Sequence, residues 1–571
     1  MNGAGPDQAE TPLRFDRLDG VAVLFFALTA VACALFWWRG ITPFPFLGSD
    51  LANISSFAAA RMRPEAFAGD ALLADPAHYR FYITVLIPVL VALSRLFGDL
   101  GSAGVSLLAP VILLQAVGFY GLGRVLFGAR LPAFLLALLS LGKVDLTVGY
   151  WGVYHDVQPR FLFQALFPFL LILTLKYGGN PRRWPMIMAA AGLLIYVHSV
   201  SAPSVAFATW LGLFCFRPAG WSWRRHAVVL AACGFVFLAV CAPFLASYLS
   251  NRAYGAAPDY GRMVKLYGEI LGYHYTDARL FVAWALTNWK AAYLLPAWGL
   301  LGFAAVLFWR NAERRRIVFF VVWLAGLLLA SVAVTLVEQW IGRLFHVLPV
   351  EIDLIRNIRY VSPILLIFAV WGTWLATRRL PRRMGTIVFV VVAVGWFGVN
   401  RPGSIPFRQT ADCFLAGKVL CRPDHVDGQL AALEFLKRQV PDGVAILPVL
   451  NDFNGMDFVL ALRYFAFKPV VFAEKDGGTF TYANHAAVDD WLRTRAEIAA
   501  IRDLTDPVER EARAEVLARQ TGAGLIIVDF PVPETAAAEG CPARRRIGPF
   551  TLIGTTDRIP PSVWGCRAAG G

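Results

Sequence analysis

Asp50 stands a few residues past a membrane-length apolar run at 21–38, in the stretch Gly48-Ser49-Asp50-Leu51-Ala52-Asn53-Ile54. A carboxylate there sits where lipid headgroups meet water. It can take a proton from an acceptor hydroxyl while a lipid-borne donor lies alongside in the bilayer, and a modestly raised pKa would suit it to serve as that base. The plainer reading of the same residue is helix capping, with Ser49 or Asp50 opening a helix over 51–62. The two readings are compatible, since a capping carboxylate can still face a cleft.

Three further clusters put ionisable groups at the ends of apolar runs. Tyr154-His155-Asp156-Val157-Gln158-Pro159-Arg160 leads into one such run, and a fixed cation at Arg160 could hold the phosphate of a lipid carrier. Arg and Tyr also serve there as plain interfacial anchors. His198 lies in a tight turn between two apolar runs, where an imidazole is costly unless paired or wetted, and a satisfied structural histidine is the simpler account. Glu351-Ile352-Asp353-Leu354-Ile355-Arg356-Asn357-Ile358-Arg359-Tyr360 places Arg356 and Arg359 three apart, on one face of a helix. Paired guanidiniums suit a phosphate or pyrophosphate headgroup; they equally suit pairing with Glu351 and Asp353. Arg252, Arg262, Lys265 and His274 are weaker cases of the same kind. The sequence has no Walker A loop, no dinucleotide fingerprint after a strand, no H-E-x-x-H and no G-x-S-x-G, so the common nucleotide-fed chemistries are not indicated.

The elements that must hold these groups are membrane helices. Of the 571 residues, 57% are apolar and only 16% charged, against about a quarter charged in soluble domains. Apolar runs at 21–38, 81–98, 103–123, 131–153, 160–177, 184–198, 201–216, 226–249, 290–309, 317–337, 360–377 and 384–400 have the composition of transmembrane segments. The fold class expected is an α-helical polytopic membrane protein. The net charge of +14 gathers in short loops between these runs, as orientation signals do, which argues against nucleic-acid binding. Arg14 and Arg17 place the N-terminus, 1–19, in the cytoplasm, and the first run is read as an uncleaved anchor. Basic loops at 124–130, 176–183, 217–225, 310–316 and 378–383 then leave 39–80, 154–160, 198–202, 250–289 and 338–359 outside. Reconciling the basic loops with the N-terminus requires an odd number of crossings, about 11 to 13, with a re-entrant segment or a hidden crossing between 81 and 130. In the first external loop, 39–80, a short helix from 53 to 62 is expected to lie along the surface until Pro64 stops it.

The transmembrane region, 20–401, gives way at 402–571 to soluble composition. An amphipathic helix at 430–438, a turn at Pro441-Asp442-Gly443, strands at 444–448, 469–473 and 524–529, and helical sequence at 456–465 and 486–518 imply a small α/β domain with a partly parallel sheet. Cys33, Cys215, Cys233 and Cys241 belong to apolar runs. Cys413, Cys421, Cys541 and Cys566 fall in the polar region, where an even count on an exported domain favours disulfides. Cys413–Cys421 with Cys541–Cys566 is the pairing of shortest closure.

With these pieces in place, the chain resembles the GT-C superfamily of polytopic membrane glycosyltransferases. The resemblance rests on the first span followed by Gly48-Ser49-Asp50 in a long external loop, the polytopic core and the C-terminal α/β domain. It extends to a bacterial subgroup through His-Ser-Val-Ser-Ala-Pro at 198–203, Arg-Asn-Ile-Arg-Tyr at 356–360 and Leu462-Arg463-Tyr464-Phe465-Ala466-Phe467-Lys468-Pro469-Val470-Val471. It implies inverting transfer from a polyprenyl-phosphate-linked sugar donor to a glycan, lipid or protein acceptor. Asp50 would be the base, alone or with Asp156, and His155, Arg160, His198, Arg356 and Arg359 would bind substrate and steady the departing phosphate. Many relatives carry a second acid beside the first, whereas Leu51 and Ala52 follow Asp50, so no cofactor is expected and a divalent cation is doubtful. The location implied is the bacterial cytoplasmic membrane, with the C-terminal domain extracytoplasmic. A lipid or sugar transporter and a non-catalytic envelope scaffold are the competing readings. Ionisable groups at span ends rather than mid-membrane speak against the transporter.

Overall fold

A computed structural model describes residues 16–40, 46–144, 151–250, 260–271, 277, 279–280, 282–283, 294–308, 314–346, 352–399, 415–416, 424–450, 455–532, 543–556 and 558–564. Segments in hydrocarbon have no water to satisfy backbone N–H and C=O groups, so each apolar run must bond within itself as a helix. The described parts of the runs at 21–38 through 384–400 are predominantly helical. Among the described residues six helices are long and apolar enough to cross a membrane: Arg17–Phe36, Leu100–Phe127, Pro159–Tyr177, Trp223–Ser250, Arg314–Phe345 and Leu354–Thr377. Shorter apolar helices lie at Leu86–Phe97, Arg130–Ser140, Ser201–Phe216, Leu294–Phe308 and Arg383–Val399. The chain is a helical, multi-pass membrane protein with a small C-terminal sheet.

Helix α1 (Arg17–Gly40) shows how such a helix divides its surface. Ala22, Phe26 and Ala30, each four residues from the next, are buried on one stripe, while Val21, Leu24, Leu28 and Leu35 on the other faces are about half exposed or more. Apolar residues on both faces suit a helix packed on protein on one side and lipid on the other. At its N-terminal end Asp19 is fully buried, accepting from Tyr120 Oη at 2.6 Å and pairing with Arg124. Arg130 pairs with Asp16, Arg315 donates to the Cys215 carbonyl at 3.2 Å, and Arg316 to that of Leu126 at 3.3 Å. Several of the basic loops thus gather at one end of the helices.

The opposite end begins with α2 (Ser49–Met62), followed by α3 (Leu86–Phe97), α4 (Leu100–Ser106), α5 (Leu108–Phe127), α6 (Arg130–Ser140) and α7 (Pro159–Tyr177). With 12 residues, α3 rises roughly 18 Å, short of the ~30 Å hydrocarbon layer. It packs on α2 and α4. Elsewhere helices approach closely through small residues: a Cβ on Gly302 would come within 2.2 Å of the Phe368 carbonyl, which brings Leu294–Phe308 against Val361–Thr377.

The expectation that the first-loop helix lies on the surface is overturned. Residues 51 to 60 of α2 are all buried, because helix Gly455–Tyr464 of the C-terminal domain, α3 and α4 pack around them. In that domain helix Asp424–Gln439 precedes β1 (Ile446–Val449), and helices Gly455–Tyr464, Asp476–Ala483, His485–Asp503 and Pro507–Thr521 precede β2 (Leu525–Val528). β3 (Arg544–Ile547) and β4 (Phe550–Gly554) follow, and the sheet order is β1-β2-β4-β3. β1 and β2 pair in parallel with Ile446 opposite Leu525; β4 is antiparallel to both β2 and β3. The segment expected as a strand at 469–473 makes a single parallel bridge, Val470 to Ile446. The four cysteines of the expected disulfides lie outside the described residues.

Helix Gly455–Tyr464 packs directly on α2, and Tyr464 Oη accepts the Leu47 amide at 3.0 Å. Beside it Arg463, wholly buried, donates to both carboxyl oxygens of Asp70 at 2.8 Å and to those of Asp476 at 2.7 and 2.8 Å. Asp70 also accepts the amides of Leu72, Leu73 and Val470. This network makes the first loop and the C-terminal domain one packed body.

Candidate functional site

A cavity of about 730 Å³ opens where this body meets the ends of the membrane helices. Asp50 enters it from the first turn of α2. The N-cap is Gly48, in extended conformation, and no side chain caps the helix. The carboxylate is therefore directed to cations rather than to its own backbone: Oδ2 accepts from Arg160 Nη2, and Oδ1 accepts from Lys475 Nζ at 2.6 Å. Burial alone would raise its pKa, but Arg160, then Lys475 and Arg356, hold it well below the usual carboxylate range. The raised pKa expected of a base at this position is not what the structure has; it holds a fixed anion.

Arg160, at the second position of α7, is aimed by Gln158, whose Oε1 accepts its Nε–H at 2.6 Å, and it lies over the Tyr154 ring at 5.5 Å. Arg356 and Arg359 sit on a nine-residue 3-10 helix, Ile352–Tyr360. In that geometry residues three apart eclipse one another, so both guanidiniums reach the same cavity. Asn357 between them donates to the Val200 carbonyl at 2.7 Å and to Ser204 Oγ at 3.0 Å, tying this helix to the turn that carries His198. Arg359 is 2% exposed; its Nε–H goes to the Arg356 carbonyl, and its Nη1 has no hydrogen-bond partner among the described residues. A buried, unsatisfied guanidinium nitrogen at a cavity wall is an anion site in waiting. His198 Nδ1 accepts the Ser201 amide at 3.2 Å and meets Ser201 Oγ at 2.8 Å, which leaves its proton on Nε2.

Asp156 is placed differently. It is 3% exposed, sits behind Gly48 rather than on the cavity wall, and its carboxyl oxygens have no hydrogen-bond partner among the described residues. Burial, helped by the charge of Asp50, pushes its pKa up. A Cβ on Gly48 would stand 2.3 Å from Asp156 Oδ2 and 2.7 Å from His155 Nε2, so only glycine lets this pair pack under the start of α2. Gly48→Ala is expected to cost about 1–3 kcal/mol by overpacking. A thermal unfolding curve matching the parent's would refute that.

The structure thus brings Asp50, His155, Arg160, His198, Arg356 and Arg359 to one cavity. Of the weaker cases, Arg262 pairs with Asp489, Lys265 lies 3.9 Å from Glu269, and Arg252 and His274 lie outside the described residues, as does Glu351. What sequence reasoning missed is the contribution of the C-terminal domain: Asp457, Glu474 and Lys475 also line the wall. The available signal was Glu474-Lys475-Asp476-Gly477-Gly478, just past the end of a buried β-like segment, where α/β domains commonly place site residues.

A second, apolar groove of about 480 Å³ is lined by Pro203, Phe207, Trp210, Phe235, Leu238 and Leu354 among others. Leu354 shares the 3-10 helix of Arg356. Among the described residues no three His, Cys, Asp or Glu side chains are grouped so as to hold a metal ion. No family model matches the chain, and no curated protein matches it.

Proposed function

We propose that this protein is a membrane glycosyltransferase that moves a sugar from a polyprenyl-phosphate carrier to an acceptor at the extracytoplasmic face of a bacterial cytoplasmic membrane. The observation that supports it most is the meeting of Asp50 with Arg160, Arg356, Arg359 and Lys475 in one cavity at the helix ends. As the glycosidic bond to phosphate breaks, the carrier leaves with added negative charge, and fixed guanidiniums stabilise that charge without reorganising. The apolar groove that reaches Leu354, on the same 3-10 helix as Arg356, offers a surface for an isoprenoid tail.

The test is binding and transfer by the whole protein in nanodiscs. Polyprenyl phosphate should be retained in native mass spectra, and Arg359→Ala should weaken it by about 10- to 100-fold, the worth of a charge-assisted hydrogen bond. Sugar transfer from a lipid-linked donor pool should follow the same order. Uptake of the lipid or sugar into sealed vesicles without any glycosylated product would favour a transporter instead. Absence of both binding and transfer would leave the scaffold reading.

A further inference from the structure

We propose that Asp457, supplied by the C-terminal domain, takes the proton of the acceptor hydroxyl, while Asp50 remains ionised as the anchor of Arg160 and Lys475. This rests on the transferase reading and changes its assignment of the base.

A general base needs a lone pair free to meet the acceptor O–H. Among the described residues three acids line the cavity: Asp50, Asp457 and Glu474. Both oxygens of Asp50 are engaged, one by Arg160 and one by Lys475. Glu474 faces Arg495 at 2.8 Å. Asp457, half-buried, has no ion pair or hydrogen bond among the described residues. Asp156, the second acid read from sequence, does not reach the cavity wall. Asp457 therefore has both the position and the unoccupied oxygens.

The charged groups around it agree. Burial pushes the Asp457 carboxyl up to about 6, the charge of Asp156 adds to this, and His155 and Lys475 oppose it; Asp50 and Glu474 share the same wall. A pKa near the working pH is where a carboxylate is both ionised and basic enough to act. Asp50 is ionised but too weakly basic. In the step itself the acceptor oxygen bonds to the anomeric carbon as the carbon–oxygen bond to phosphate breaks. The bonding pair leaves on the phosphate, and the hydroxyl proton passes to Asp457.

The sign of the pH dependence follows. Below about 6 Asp457 is protonated and cannot accept, so transfer should rise as pH rises through that region. Lys475→Gln removes an opposing cation and should move this limb to higher pH. Asp457→Asn should lower kcat by about 10²- to 10⁴-fold while leaving retention of polyprenyl phosphate unchanged, and Asp457→Glu should recover part of the rate. A second readout needs no turnover: a hydrophobic carbodiimide, which modifies protonated carboxyls, should label Asp457 and spare Asp50 in the parent protein near pH 6. Parental transfer by Asp457→Asn, or labelling of Asp50 in place of Asp457, overturns this assignment alone. Absence of transfer by the parent overturns the transferase reading and the assignment with it.

Discussion

Asp50→Asn is expected to abolish sugar transfer while the protein still inserts and folds, with kcat falling by about 10³-fold or more. The reason is electrostatic. Asn removes the one anion that Arg160 and Lys475 share, so two cations are left facing each other across the cavity. Lys475 is then free to pair with Asp457, which would draw that carboxyl's pKa down and weaken it as a proton acceptor. Binding of the polyprenyl phosphate should not suffer, since the cavity has lost a negative charge. The signature is thus a fall in kcat without a rise in the donor KM, measured in reconstituted membranes. Parental turnover by the Asn variant would remove Asp50 from the site.

The second large effect concerns the joint between the first loop and the C-terminal domain. Arg463→Met should destabilise the protein by about 3–5 kcal/mol, because it leaves Asp70 and Asp476 buried without their shared cation. The sign with pH can be worked out. Unpaired buried carboxylates have raised pKa values, so the variant's deficit should be greatest at neutral pH and shrink as acid protonates them. Thermal unfolding of parent and variant at two pH values measures it. Because Lys475 is adjacent in sequence to Asp476, transfer should fail before the membrane helices unfold. A variant with the parent's unfolding temperature would show that the network does not hold the two parts together.

Much of the architecture was legible from local pattern. Hydropathy located the membrane helices from Val21 onward, since a chain in hydrocarbon has little choice but a helix. Strands alternating with helical sequence imply a partly parallel sheet, and β1 and β2 pair in parallel, all four residues of each buried. The β3–β4 hairpin was not legible. β3 reads Arg544-Arg545-Arg546-Ile547 and lies at the sheet edge, where charged residues keep other strands from pairing, so it carries no alternating apolar pattern. The first-loop helix, expected along the surface, is buried in the fold, Asn53, Ser55 and Ser56 included, with Ser56 bonding back to the Ala52 carbonyl at 2.9 Å.

The sequence by itself determined that the chain is built of apolar helices of which several are long enough to cross a membrane, that ionisable groups gather at the ends of apolar runs, and which of those groups were worth watching. These are properties of composition and short-range spacing, and they hold whatever the helices pack against. Only the tertiary structure decided that Asp50 is pinned between two cations, that Asp156 lies behind the wall rather than on it, and that the C-terminal domain completes the cavity. Lys475 meets Asp50 across 425 positions of chain. The ionisation of a carboxylate depends on burial and on charges within a few ångströms, and distances of that kind come into being only when the chain folds.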